Sequence, residues 1–268
     1  MASLQRPLLI ALLLFALPIR AIGLPDTGQD TCYNDTVADS VAASNAASFA
    51  KDTGTHPRQD CRYGRDAAAA VGVLLKTGAG AKGFDYTKVA NNGTMLGAEA
   101  TLGTAATDWA CTKDNITGLI WEVKTAANTD LRSYSHSYFW YSSDSTSNGG
   151  NAGFAGDSYN ACNNTLPGGL CNTQAFTTAV NAAALCTYID WRTPTQRELL
   201  TLVYAEGSSP SIVATYFPNT PATEFWSGTT YSLGPPLAWM VSFYDGWYTT
   251  RAKTFNLLPV RLVRGGPF

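Results

Sequence analysis

The chain is poor in histidine. It contains only two, His56 and His136, and both lie in polar, loop-like surroundings. Neither has neighbours that would complete a Ser-His-Asp arrangement or a metal site. This scarcity argues against a hydrolase or a zinc enzyme, and the sequence predicts a protein that is not an enzyme.

Charged residues are also few, making up 14% of the chain. Without Arg6 and Arg20 of the N-terminal segment, 16 basic and 20 acidic side chains would remain. A weakly acidic surface of this kind does not attract polyanions. We therefore expect no nucleic-acid partner.

Long hydrophobic runs are absent except at the N-terminus. There Leu8–Leu17 follows Arg6 and precedes the small residues Ala21 and Gly23. The run is shorter than the roughly 20 residues that span a bilayer. This arrangement predicts a signal peptide over residues 1–23. We expect a secreted, periplasmic or cell-surface protein without stable membrane insertion after cleavage.

Cysteines number six, and all follow the predicted signal peptide. An even count in an exported chain indicates three disulfide bonds instead of metal ligands or nucleophiles. Counting alone leaves the pairing open, although the turn-forming Pro167-Gly168-Gly169 favours a local pair around it. The preferred pairs are Cys32–Cys61, Cys111–Cys186 and Cys162–Cys171.

Tryptophan is missing from the first part of the chain, because all seven tryptophans lie between Trp109 and Trp247. Residues 24–108 are rich in Ala, Gly, Asp and Thr, and are predicted to form a loop-rich extension with one short helix over Ala67–Lys76. Residues 109–266 are predicted to form the main domain.

Two helices are predicted in the main domain. One begins after Cys171 and is capped by Asn172 or Thr173, with buried side chains at helical spacing. The second has Thr193 as its N-cap, Pro194 in its first position and Gln196 completing a capping box.

The strand signals of the main domain surround these helices. Gly118–Val123 has the apolar density of a buried strand, and Trp239, Val241 and Phe243 alternate as on one face of a strand. Asp245-Gly246 predicts a hairpin turn. Val260–Arg264 is predicted to be a central strand. Helices followed by a strand meander indicate an α+β fold.

Several phrases resemble the Lcl C-terminal domain family, named after a bacterial collagen-like adhesin. They are Asp114–Glu122, Asp190–Thr195, Glu198-Leu199, Phe225–Ser227 and Val260–Gly266. The resemblance implies a C-type-lectin-like α+β fold, distantly akin to the formylglycine-generating enzyme domain. It also implies a secreted or surface bacterial protein, and the family's named member binds sulfated glycosaminoglycans. This chain departs from that member, because it is acidic and has no Gly-X-Y repeat.

Most aromatic phrases of the main domain are interpreted as packing. Trp121, Trp191 and Trp226 are expected to fill the core. Arg192 is expected to pair with Asp190 or another acid near the helix start.

One set of aromatic residues is a candidate binding site. A hairpin tip that carries tyrosine and tryptophan beside an arginine can stack on a sugar or hold an anionic group. The alternative is a hairpin that packs on its own sheet. The candidate residues are Trp239, Tyr244, Trp247, Tyr248 and Arg251.

A second candidate is a calcium loop. Asp144, Thr146 and Asn148 offer oxygen ligands at alternate positions, and Gly149 is the sixth residue. Ala155 stands where a full EF-hand loop carries glutamate. The alternative is a flexible polar loop, and calcium is the only cofactor that the sequence suggests.

Together these features predict a secreted bacterial module that binds a glycan or a surface protein without catalysis. One alternative is an exported enzyme on a formylglycine-generating-type fold, which would need a free thiol. Another is a structural subunit of a cell-surface assembly. The sequence indicates neither the ligand nor the oligomeric state.

Overall fold

The computed structural model describes residues 26–29, 32, 59–156 and 160–266, without the side chain of Arg62. The predicted signal peptide and His56 lie outside these residues. In the described parts of the chain, no helix is long and apolar enough to cross a membrane.

A five-stranded antiparallel sheet forms one half of the fold. Its order is β2-β1-β3-β4-β8, and its strands are β1 Tyr86–Ala90, β2 Met95–Leu96, β3 Trp109–Asp114, β4 Ile120–Glu122 and β8 Val263–Arg264. The predicted buried strand at 118–123 is therefore β4. The β1–β3 pair crosses the predicted domain boundary at residue 108, since Lys88 lies opposite Thr112. The boundary itself stays a prediction.

The second sheet is a three-stranded meander. It consists of β5 Glu224–Thr230, β6 Leu237–Ser242 and β7 Tyr248–Ala252, paired in sequence order. The predicted turn at Asp245-Gly246 joins β6 to β7, and Gly246 has the positive φ of 79° that favours glycine at such a turn. The hairpin prediction is confirmed.

The helices are short; two precede β1 in the chain, and two lie between β4 and β5. They are α1 Asp60–Tyr63, α2 Arg65–Ala70, α3 Thr173–Ala182 and α4 Gln196–Leu200. The helix predicted over residues 67–76 corresponds to α2, which begins and ends earlier in the chain and is shorter than predicted. Asn172 caps α3 by accepting a hydrogen bond from Ala175 N at 2.8 Å, as predicted. Mixed helices and predominant antiparallel sheets confirm the predicted mixture of α and β elements.

The predicted cap of α4 is wrong by two residues. Thr195, not Thr193, is the N-cap, and its capping box is completed by Glu198. The cause is a contact with β5, because the carbonyl of Pro194 accepts a hydrogen bond from Gly228 N at 2.7 Å. That bond ties Pro194 to the sheet, and the helix begins after it.

The last predicted strand is also corrected, because β8 comprises only Val263–Arg264 and lies at the sheet edge. Side chains add to the backbone pairing of the preceding residues, where Glu122 N donates to Leu262 O at 3.0 Å. Arg261 donates to Glu122 O at 2.7 Å, and Glu122 Oε2 accepts from Leu262 N at 2.9 Å. The segment is fully buried, as the long side chains suggested, but it is not a central strand.

The paired residues at the centre of β5 and β6 are buried on both faces of the meander, whereas β7 is half-buried or exposed. Trp226 and Met240 belong to one hydrophobic cluster, whereas Phe225 and Val241 belong to the other. Because side chains alternate along a strand, each face of β5 and β6 packs on a different cluster. Trp121, Trp191 and Trp226 are buried as expected.

Three disulfide bonds reinforce the fold, and no cysteine is free. They join Cys32 to Cys61, Cys111 to Cys186 and Cys162 to Cys171, which is the preferred pairing. The second bond connects β3 to a 3-10 turn across 75 residues of chain. One disulfide bond therefore holds the N-terminal segment, and the other two hold the segments on either side of α3.

Candidate functional site

The β6–β7 hairpin presents a rigid turn. Ser242 N donates to Trp247 O at 2.7 Å, and Gly246 N donates to Ser242 O at 2.9 Å. The Asp245 carboxylate accepts from Trp247 N at 3.1 Å. These bonds fix the backbone that carries the aromatic side chains of the turn.

Three aromatic side chains of this hairpin are exposed. Tyr244 is 60% exposed, Trp247 57% and Tyr248 47%. Trp247 is the one exposed tryptophan among the seven, because five are buried and Trp239 is half-buried. An exposed cluster of large rings on one turn is less common than a single exposed ring. The hairpin is thus the aromatic surface that the sequence suggested.

Trp239 supports this surface from beneath. Its ring lies 5.4 Å from that of Tyr231, edge to face, and 5.9 Å from that of Tyr248. Sequence reasoning missed Tyr231, although its position at the end of β5 places it beside the hairpin. We name Tyr231, Trp239, Tyr244, Trp247 and Tyr248 the aromatic hairpin surface.

Arg251 belongs to an ion pair in the sheet. Its Nε donates to Glu224 Oε2 at 2.8 Å, and its Nη2 donates to Glu224 Oε1 at 2.5 Å. The two parallel bonds neutralise the guanidinium. Arg251 is thus held by Glu224 within the sheet, and its role as a ligand-binding cation stays a prediction.

The loop suggested for calcium uses its oxygens internally. Asp144 Oδ1 accepts from the backbone and hydroxyl of Thr146, and Asp144 Oδ2 accepts from Ser147 Oγ at 2.9 Å. These bonds lower the pKa of Asp144. Asn148 Oδ1 accepts from Gly150 N at 2.8 Å. The loop is closed by its own hydrogen bonds.

A lysine supplies the positive charge next to this loop. Lys253 Nζ donates to the carbonyls of Asn148 and Asn151 at 2.9 and 2.8 Å, and to Thr230 Oγ1 at 3.1 Å. It also lies 3.9 Å from the centre of the Trp140 ring. The lysine comes from 105 residues further along the chain than Asn148. The Lys253 ammonium group thus lies between these carbonyl oxygens, in the position that a bound metal ion would otherwise take.

A cleft of about 560 Å³ lies beside the same loop, between α3 and the start of α4. Arg192 lines it and donates to both oxygens of Glu198, at 2.7 and 2.5 Å. The expected pairing with an acid near the helix start is confirmed, whereas Asp190 pairs with Arg264. The Arg192–Glu198 ion pair is neutral as a whole, so it adds no net charge to the cleft.

His136 is a buried structural residue. It is 2% exposed, and its Nε2 lies 2.8 Å from the carbonyl oxygen of Asn128. Burial lowers the pKa of His136. The sequence placed His136 in polar, loop-like surroundings, and the structure buries it.

A last group of polar side chains lies at the start of the described chain. Asp26, Asp60 and Asp66 come together there. Burial and the neighbouring Asp26 carboxyl raise the pKa of Asp66 to about 8. The N-terminal extension therefore holds a second cluster of ionisable groups, remote in sequence from the hairpin.

Comparisons with known proteins support one assignment. No curated protein and no solved structure matched the chain. The model of the Lcl C-terminal domain matches residues 110–264, more than half of the chain. The match covers the hairpin, the cleft and the Arg192–Glu198 pair. The chain belongs to the Lcl C-terminal domain family.

Proposed function

We propose that the protein is a secreted bacterial module that binds a glycan or a protein ligand without catalysis. The observation that carries the proposal is the aromatic hairpin surface, with three exposed rings on a hydrogen-bonded turn. Tyrosine and tryptophan give large, amphipathic contact areas at low entropic cost. Family membership, which suggests an adhesin-like module, points the same way.

The preferred ligand is a neutral glycan. Arg251 is paired with Glu224, and Asp245 places a carboxylate in the turn. A surface without an unpaired arginine and with an acid at its tip favours stacking on an uncharged sugar over capture of sulfate. Binding to sulfated glycosaminoglycans is therefore not transferred from the family's named member to this chain.

The proposal includes a C-type-lectin-like fold and export. Two antiparallel sheets together with short helices are compatible with such a fold. Three disulfide bonds fit an oxidising, extracellular or periplasmic compartment. Because all six cysteines are paired, none offers the thiol that a formylglycine-generating-type mechanism needs. We expect no nucleic-acid partner and no stable membrane insertion after signal cleavage.

A glycan-array screen of the mature protein tests the proposal. The screen is run with and without calcium and at two salt concentrations. We expect binding to neutral glycans that is insensitive to salt, because stacking does not depend on charge. Binding only to sulfated glycans at low salt would contradict the preferred ligand, and no binding under any condition would remove the glycan hypothesis. A protein partner recovered from the native envelope would then favour the structural-subunit alternative.

A further inference from the structure

Three carboxylates from separate segments meet at the start of the described chain. Asp26 precedes the first disulfide, Asp60 begins α1 and Asp66 lies in α2. One oxygen of each lies within 4.8 Å of one oxygen of the others. Asp66 is 0% exposed and Asp26 6%. Such a concentration of buried negative charge requires compensation.

Each carboxylate has one oxygen already held by the protein. Asp26 Oδ1 accepts from Thr27 N at 2.8 Å, and Asp66 Oδ1 accepts from Gly83 N at 2.6 Å. Asp60 Oδ2 accepts from Thr27 Oγ1 at 2.6 Å. These bonds orient the three groups and leave their other oxygens for a further partner.

The second oxygens of the two buried groups are unpartnered. Asp26 Oδ2 and Asp66 Oδ2 are buried atoms without a hydrogen-bond partner. Gly83 makes room for the first of them, because a Cβ there would lie 1.4 Å from Asp26 Oδ2. Buried carboxylate oxygens without a donor are costly, and a metal ion is one of the few partners that satisfies several at once.

Among the described residues, Arg65 makes the direct ionic contact with this cluster. Arg65 Nε lies 4.0 Å from Asp26 Oδ2, and it donates instead to Gly83 O at 2.9 Å. Its Nη2 is itself buried without a partner. When all three carboxyl groups are ionised, Arg65 compensates one of their negative charges, and one divalent cation would compensate the other two.

We propose that Asp26, Asp60 and Asp66 bind a calcium ion that fastens the N-terminal segment to α1 and α2. Carboxylate oxygens are hard ligands, and calcium tolerates the irregular geometry that ligands from three segments provide. Water would complete the six to eight ligands that calcium takes. The Cys32–Cys61 disulfide, which directly follows Asp60, fastens the same two segments covalently. This site is distinct from the Asp144 loop.

Titration calorimetry and thermal unfolding of the mature protein with CaCl₂ as the probe test the proposal. We expect one calcium ion per chain with a dissociation constant of about 1 mM or below, typical of extracellular modules. In 10 mM CaCl₂ the melting temperature should rise by about 3 °C over its value in chelator. An unchanged melting temperature together with no heat of binding would overturn the proposal.

Two variants locate the ion. Asp60→Asn, at the most exposed of the three ligands, should weaken calcium binding at least about tenfold while the protein still folds. Asp144→Asn is the matched control in the other loop and should bind like the wild type. Loss of binding in Asp144→Asn, or wild-type binding in Asp60→Asn, would contradict the assignment.

Discussion

Lys253 is predicted to hold the loop of residues 142–151 in place from a distant part of the chain. The perturbation is Lys253→Met, which keeps the length of the side chain and removes its charge and its donors. In the wild type, the ammonium group donates three hydrogen bonds and faces the Trp140 ring. The lysine is fully buried, so water does not replace these contacts unless the loop moves.

The size of the effect follows from two opposing contributions. Hydrogen bonds to a charged group contribute about 1.5–3 kcal/mol each, and the contact with the Trp140 ring about 1 kcal/mol. Against this, burial lowers the pKa of Lys253 from 10.5 to about 8, a cost of about 3 kcal/mol for keeping the charge. Even with the lower value for each hydrogen bond, the three bonds and the ring contact together exceed the cost of burying the charge. We expect Lys253→Met to lower the free energy of unfolding by about 3 kcal/mol.

Urea unfolding and amide hydrogen exchange measure this effect. Exchange should accelerate at Ser142, Asn148 and Asn151 more than in β6, because the loop loses its anchor. Lys113→Met, at a half-buried lysine on β3, is the matched control and should change the free energy of unfolding much less. Unchanged stability and unchanged exchange in Lys253→Met would refute the reasoning.

Two further predictions concern stability. Burial alone would raise the pKa of Glu198, but hydrogen bonds from Arg192 and Thr195 outweigh it and the pKa lies below its ordinary 4.5. This stabilisation is present above pH 4.5 and is lost as the pH falls through the folded-state pKa of Glu198. Glu198→Gln should therefore lower the free energy of unfolding by about 2 kcal/mol at pH 7, and by progressively less in unfolding series at acid pH. A loss that does not depend on pH would contradict this prediction. Replacing both Cys111 and Cys186 by alanine should lower the free energy of unfolding by about 4 kcal/mol, because their bond closes 75 residues, whereas loss of the nine-residue disulfide should cost about 3 kcal/mol. Equal or reversed losses in paired denaturation curves would count against the loop-length argument.

Local signals in the sequence predicted local structure well. The hairpin turn at Asp245-Gly246 and the cap at Asn172 depend on a few adjacent residues, and both are found where expected. The pairing of Cys162 with Cys171 also followed, because a turn separates the two cysteines. Family membership followed from phrases spread over the main domain.

Contacts between distant segments were not predictable in this way. The cap of α4 moved to Thr195 because β5 holds Pro194, and Glu122 and Arg261 supply side-chain hydrogen bonds next to the short last strand. Lys253 and Asn148 are likewise distant in the sequence, 105 residues apart. No periodicity or spacing encodes such pairs.

The aromatic residues show the same division. Sequence alone selected the hairpin, but it did not show that Arg251 is paired with Glu224 or that Tyr231 joins the surface. It also gave no sign that Asp26 is buried beside Asp66, because the two are 40 residues apart in the sequence. Three-dimensional packing decides which polar groups remain available.

The central claim is that the aromatic hairpin surface binds the ligand. Its most direct test is the affinity of Trp247→Ala for the best neutral glycan of the array, beside wild type and the control Tyr134→Ala, whose tyrosine is exposed on another segment. We predict that Trp247→Ala binds at least about tenfold more weakly, since an exposed aromatic anchor contributes at least about 1.4 kcal/mol. Tyr134→Ala should bind like the wild type. Unchanged affinity in Trp247→Ala, with the protein folded, would contradict the account.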